Sequence, residues 1–73
     1  MPSIKVESEV AGTVWKIEAA AGQQVAQDDV ILIIESMKME IPVTAPANGR
    51  IAAIRVAEGD PVTDQQVLAV LET

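Results

Sequence analysis

A lysine flanked by two methionines is the feature of this sequence with the clearest chemical potential. Lys38 lies between Met37 and Met39, and Glu35 and Glu40 stand just outside that triplet. A lysine amine is a nucleophile only when it is deprotonated. Methionine side chains usually favour burial, so two of them beside a charge are poor choices for an exposed turn. Something other than folding therefore selects these residue types.

Two strand-like runs meet at this lysine. Val30–Ile34 is an unbroken aliphatic run, and Ile41 and Val43 are apolar at alternate positions, which predicts a hairpin with its tip segment at about residues 35–41. A two-residue hairpin turn needs positive backbone angles and prefers Asn-Gly or Gly-Gly. Met37 and Lys38 carry a steric cost there. A broken local rule tends to mark function.

Composition favours an all-β fold. The chain has 73 residues, which predicts one small domain over residues 1–73 with a modest core. Val and Ile outnumber Leu, and β-branched side chains suit strands better than helices. The strand-like segments are short, and no window favours a helix.

The residue types also exclude several functions. The sequence has no Cys and no His, so disulfides, thiolate nucleophiles, the usual zinc sites and imidazole chemistry are excluded. The net charge is −6 and the basic residues form no cluster, so nucleic acid is not an expected partner. No stretch approaches the length of a membrane span and no leader precedes the first strand, which predicts a cytoplasmic protein without a membrane partner.

The sequence contains an internal repeat. A shift of 37 residues takes Gly12 to Gly49 and Gly22 to Gly59, and it superimposes the aliphatic positions of the two halves. We expect two quasi-two-fold related, four-stranded halves that form a flattened β-barrel or sandwich around one core. The shift takes Lys38 to Met1, so the hairpin tip and the chain termini should lie at opposite ends.

Three smaller points follow from the same repeat. Both glycine pairs are interpreted as turn or bulge positions with unusual backbone angles. In residues 30–34 and 67–71 the odd and the even positions are both apolar. The pattern therefore does not show which side chains face the core, and it allows a bulge in either run. Trp15, the single aromatic residue, corresponds to Ala52 and is expected to be half-exposed and to pack rather than bind a ligand.

With these residues in view, the chain resembles the biotinyl (biotin carboxyl carrier) domain, and most of all the small biotin/lipoyl attachment proteins. The resemblance rests on residues 35–40, with Gly12-Thr13-Val14 upstream and residues 45–49 downstream. It implies a barrel-sandwich hybrid fold. Ser36 stands where Ala is more usual, and the ungapped run 13–25 leaves no room for the thumb loop of some acetyl-CoA carboxylase carriers.

The resemblance also implies a function. Lys38 would be joined to biotin by a biotin protein ligase, and the carboxybiotin arm would shuttle CO2 between biotin carboxylase and carboxyltransferase. Glu35, Met37, Met39 and Glu40 would serve recognition by the ligase and these partners. The chain would be a non-catalytic carrier component of a biotin-dependent carboxylase, for example an acyl-CoA carboxylase, with no metal and no catalytic residue of its own.

Two alternatives stay open at this point. Lipoyl domains share the fold and also modify a hairpin lysine, so lipoate is an alternative cofactor, although Met37 and Met39 favour biotin over the Asp-Lys-Ala tip typical of lipoyl domains. An unmodified structural adaptor is the second alternative. Adaptors of this kind interrupt the hairpin with a helical insert, and the continuous hairpin here argues against one. A stand-alone enzyme has no support, because no nucleotide loop, metal site or nucleophile with its base is present.

Overall fold

The computed structural model describes residues 2–73 and is all-β. Within that range the backbone forms eight strands and no helix. The strands are β1 (Ser3–Glu7), β2 (Gly12–Ile17), β3 (Gln24–Val25), β4 (Val30–Ser36), β5 (Met39–Thr44), β6 (Gly49–Ile54), β7 (Pro61–Val62) and β8 (Val67–Glu72).

The strands form two four-stranded sheets, and every pairing is antiparallel. Sheet I has the order β1-β8-β6-β3, and sheet II has the order β5-β4-β2-β7. Both sheets contribute buried aliphatic side chains to one core, for example Val14 and Ile34 from sheet II with Ile51 and Leu71 from sheet I. This arrangement confirms the predicted all-β sandwich.

The internal repeat relates the two sheets rather than the two halves of a sheet. The 37-residue shift takes β2 to β6, β3 to β7 and β4 to β8, and it places β1 on β5. Each sheet therefore contains two strands from each half of the sequence. Neither half can bury its apolar face alone, so the two halves are expected to fold as one cooperative unit.

Paired bulges explain why the aliphatic runs showed no clear alternation. The register of β4 against β5 shifts between Val30 and Leu32, so Ile31 is the extra residue. Ile31 and Leu32 are consequently both buried although they are neighbours in sequence. Leu68 and Ala69 repeat this pattern in β8. A second pair of bulges leaves Trp15 in β2 and Ala52 in β6 without a ladder partner.

The two glycine pairs serve different purposes. Gly22 and Gly59 have φ of 89° and 91°, which confirms the expected unusual angle at those turns. Gly12 and Gly49 begin strands, and their φ values lie outside the left-handed region, so the interpretation by backbone angle is wrong for this pair. The reason is space. A Cβ on Gly12 would lie 2.5 Å from the carbonyl oxygen of Glu35.

The molecule is elongated, with extents of 36 × 17 × 17 Å. The Thr73 N–H donates to the Pro2 carbonyl at 3.1 Å, so the described chain ends lie together beside the start of β1. The Ser36 hydroxyl instead contacts Ala11, in the loop that follows the other end of β1. This separation agrees with the expected placement of tip and termini at opposite ends, although Met1, which the repeat pairs with Lys38, lies outside the described residues.

Replacing Gly49 tests the spatial reason for the strand-initial glycines. A Cβ at this position collides with the backbone carbonyl of Glu72 and crowds Leu71. Gly49→Val should therefore lower the free energy of unfolding by about 2 kcal/mol, measured by thermal or urea denaturation. Gly22→Asn is the control, because its site is open and Asn tolerates left-handed angles, so it should cost less than about 1 kcal/mol. Equal losses in both variants would contradict this explanation.

Candidate functional site

Lys38 occupies the second position of a two-residue hairpin turn. Ser36 and Met39 form the last pair of the β4–β5 ladder, which leaves only Met37 and Lys38 in the turn. Their φ values are 53° and 65°. Positive φ at both central residues is the type I′ pattern, whose twist matches that of the flanking strands. The sequence prediction of a strained two-residue tip is confirmed.

The strands hold this unfavourable turn in place. β4 lies in the interior of sheet II between β2 and β5, and its Ile34 side chain is completely buried. Ile34 pairs with Ile41 and with Val14, so the core fixes the row that lies two pairs below the closing Ser36–Met39 pair. A non-glycine residue in a left-handed conformation costs about 1–2 kcal/mol. Complete burial of an isoleucine side chain stabilises the fold by about 1.5–3 kcal/mol, which offsets the cost of the turn.

Ser36 anchors the base of the hairpin, which the sequence did not indicate. Its hydroxyl donates to the Ala11 carbonyl at 2.8 Å. Ala11 belongs to a loop that is itself held by Ser8, a buried residue whose hydroxyl donates to the Val10 carbonyl at 2.6 Å. The alanine more usual at position 36 could not make this bond. The loop between β1 and β2 is thus fastened to the β4–β5 hairpin.

The tip residues are exposed. Met37 is 92% exposed and Met39 is 64% exposed, so neither methionine belongs to the core. Lys38 is exposed as well, and it makes no ion pair within residues 2–73. An exposed thioether on each side of a free amine provides apolar, adaptable contact area around a charged group. The tip can therefore enter a site on another protein.

Two carboxylates face each other beside the tip. Glu35 in β4 is paired directly with Glu40 in β5, and both side chains are exposed. Like charges at directly opposed positions are destabilising. The repeat equivalent of Glu35 is Glu72, which instead forms an ion pair with Arg50 at 2.8 Å. Position 13, which corresponds to Arg50, holds a threonine, so the acidic pair beside Lys38 lacks the cation that neutralises its counterpart.

The described part of the chain offers no alternative site of comparable character. It holds no group of acidic side chains suited to a metal ion. A groove of about 380 Å³ lies between the edge strands β1 and β5, and Lys38 is not among its lining residues. No helix in residues 2–73 is long and apolar enough to cross a membrane. The exposed hairpin is therefore the candidate functional site.

Comparison with known proteins assigns the family. A family model described as "Biotin-requiring enzyme" matches residues 1–71. The chain belongs to the biotin/lipoyl domain family. This membership confirms the resemblance inferred from the residues around Lys38, and it supports biotin as the cofactor of the family.

Small relatives match over most of their length. The chain is 40% identical over 63 residues to the "Biotin/lipoyl attachment protein" of Bacillus subtilis, covering 86% of each chain. It is 35% identical over 66 residues to the "Biotinylated protein TB7.3 homolog" of Mycobacterium leprae, covering 90% of this chain and 93% of that one.

Large carboxylases contain a similar segment. The solved urea carboxylase of Kluyveromyces lactis superimposes with a TM-score of 0.93 and 35% identity, over 99% of this chain and 6% of that one. A single-chain, multi-domain long-chain acyl-CoA carboxylase gives a TM-score of 0.88 at 26% identity, over 93% and 7%. The domain type found here therefore also occurs as a small part of biotin-dependent carboxylases.

Relaxing the turn tests whether its backbone is strained. Replacing Met37-Lys38 by Asn-Gly, the pair that suits positive φ, should raise the free energy of unfolding by about 1–2 kcal/mol, measured by urea denaturation. Met39→Gln is the control, because it removes an exposed methionine outside the turn and should leave stability unchanged. A variant turn no more stable than the native one would contradict the assignment of strain.

Proposed function

We propose that this chain is a biotin carrier domain whose acceptor is Lys38. The observation that carries the proposal is the placement of Lys38, an exposed amine at the tip of a left-handed turn, between two exposed methionines. The family match supports biotin as the group it takes. The whole of residues 1–73 forms one carrier domain, and residues 35–41 form its acceptor hairpin.

In the attachment reaction, the role of this chain is to present the Lys38 amine to the ligase. The Lys38 Nζ attacks the carbonyl carbon of biotinyl-adenylate, an amide bond forms, AMP leaves, and the amine loses a proton. A lysine amine is a nucleophile only in its unprotonated form, and no side chain among residues 2–73 forms a hydrogen bond or ion pair with Lys38 in the structure. The base must therefore come from the biotin protein ligase. The turn contributes by holding the amine clear of the domain surface.

Recognition by the ligase falls to the residues around the lysine. Met37 and Met39 supply apolar contact area, and Glu35 and Glu40 supply an acidic pair that suits an arginine or lysine on the partner. The backbone of the turn is fixed before binding, so little ordering entropy is lost on docking.

In the carrier role the chain positions its cofactor for two enzymes. Biotin attached to Lys38 would supply the ureido nitrogen that accepts a carboxyl group and gives it up again. Tethering makes each visit to biotin carboxylase and carboxyltransferase effectively intramolecular, so affinity for free biotin is unnecessary. Similarity to segments of carboxylases supports these partners, and an acyl-CoA carboxylase is one candidate assembly.

Lipoate is the second candidate cofactor. The relative from Bacillus subtilis carries both groups in its printed name, "Biotin/lipoyl attachment protein". The same exposed amine would form the same kind of amide with lipoate. The exposed methionines at positions 37 and 39 favour biotin, because they match the biotinyl type of tip.

Substitution of Lys38 tests the acceptor site. Lys38→Arg keeps the charge and the exposed tip, so the fold and the unfolding temperature should be unchanged, whereas labelling by a biotin protein ligase should be abolished. Lys16→Arg is the matched control, since Lys16 is also exposed and forms only a surface ion pair with Glu18 at 3.5 Å. Streptavidin blotting after incubation with ligase, biotin and ATP gives the readout. Full labelling of Lys38→Arg would show that the acceptor lies elsewhere.

A further inference from the structure

The internal repeat provides a built-in reference for the outer faces of the two sheets. Each outward residue of sheet II has a counterpart on sheet I that occupies the same place in an equivalent strand. Positions that only maintain the fold should have similar requirements on both faces. Differences between counterparts therefore mark requirements beyond folding.

Sheet I has an outer face suited to solvent. Its bulge residue is Ala52, and the adjoining positions of the neighbouring strands hold Val70 and Lys5. One row further along, Glu72 is neutralised by Arg50. With an alanine at the bulge and Glu72 neutralised, this face presents less apolar area and no free acidic pair at these positions to a protein partner.

Sheet II differs at the same places. Its bulge residue is Trp15, which is 48% exposed, and Ile33 and Pro42 lie across from this bulge on the neighbouring strands. Two residues nearer the turn, Glu35 and Glu40 form the unneutralised acidic pair. Exposed Lys16 is the direct ladder partner of Ile33, and it forms an ion pair with Glu18 at 3.5 Å. The continuous surface next to the acceptor hairpin, called here the Trp15 face, is formed by Trp15, Lys16, Ile33, Pro42, Glu35 and Glu40.

We propose that the Trp15 face is the docking surface for the biotin protein ligase. This inference rests on the proposed function. The complementary surface on the ligase should carry an apolar side chain against Trp15 and Ile33, and an arginine or lysine against the two carboxylates. Exposed tryptophan beside a charge pair is the composition typical of residues that dominate binding energy.

Charge argues against a second copy of this chain as the occupant. Two such faces would bring four carboxylates, Glu35 and Glu40 of each copy, against only two Lys16 side chains that are already paired with Glu18, in a protein whose net charge is −6. Like-charge contact of this kind disfavours association. A partner with a basic surface is required instead.

The short length of the unmodified lysine side chain favours the ligase over the carboxylase enzymes as the partner on this face. Ile33 lies three residues before Ser36, so the apolar row is about 10 Å from the turn. The bare lysine stem extends only about 6 Å from its Cα. The enzyme that reacts with the unextended amine must therefore approach closely and cover the sheet beside the tip. Enzymes that meet the lysine after biotin has lengthened it can remain further away.

The single aromatic residue gives a direct probe of docking. Trp15 is the only tryptophan, and the sequence has no Tyr or Phe. The chain carrying 5-fluorotryptophan would be titrated with unlabelled ligase that holds a non-transferable analogue of biotinyl-adenylate. The 19F resonance should shift saturably with ligase concentration. An unmoved resonance at concentrations that saturate binding would overturn the inference.

Kinetics of biotin transfer provide the second readout. Trp15→Ala should raise the KM for the carrier about tenfold with kcat little changed, as expected when docking rather than chemistry is impaired. The equivalent position holds Ala52 in the same kind of bulge, so the fold accommodates alanine there, and thermal unfolding verifies it. Ile33→Ser should also raise KM, whereas its half-buried counterpart Val70→Ser on sheet I should not.

The outcomes separate the two proposals. Biotin on Lys38 with native KM in Trp15→Ala and Ile33→Ser would overturn the Trp15 face and leave the carrier function standing. The absence of biotin on Lys38 in the native chain would overturn the carrier function itself. A 19F shift caused by a biotin carboxylase and not by the ligase would refute the assignment of the ligase as the occupant.

Discussion

The left-handed backbone at Met37 and Lys38 is the constraint on which the proposed function depends. A two-residue turn with both φ values positive is a short connection between β4 and β5. Because no longer loop surrounds the lysine, its side chain stays at the exposed end of the hairpin. Glycine or asparagine would adopt these angles at lower cost. The chain uses a methionine and a lysine there, and under the proposed function the chemistry of the tip takes precedence over local stability.

The rest of the fold stabilises the unfavourable backbone conformation of the turn. Interleaving of the two sequence halves puts β4 inside sheet II and its repeat partner β8 inside sheet I, and the core between them holds both in register. The Ser36–Ala11 hydrogen bond adds a second attachment at the hairpin base. A rigid scaffold under an exposed amine would suit the proposed role of presenting one group to several enzymes, because little entropy is lost at each encounter.

The sequence predicted much of this arrangement, and the rest depends on long-range contacts. The 37-residue repeat and the aliphatic runs were enough for the strands, the sandwich and the tip at Lys38. The pattern could not place the bulges at Ile31 and Trp15, because a bulge depends on the register with a distant strand. The crowding at Gly12 and the bond from Ser36 likewise involve residues 23 to 25 positions away in sequence. Such contacts leave no local signal.

Competition between the two cofactors is the most direct test of the central claim. The native chain would be produced together with both a biotin protein ligase and a lipoate ligase, supplied with both cofactors, and examined by intact mass and peptide mapping. The claim predicts one biotin per chain, located on Lys38, with Lys5 and Lys16 unmodified. Lipoate alone on Lys38 would contradict the assignment of biotin, and an unmodified chain beside a labelled control domain would contradict the carrier role.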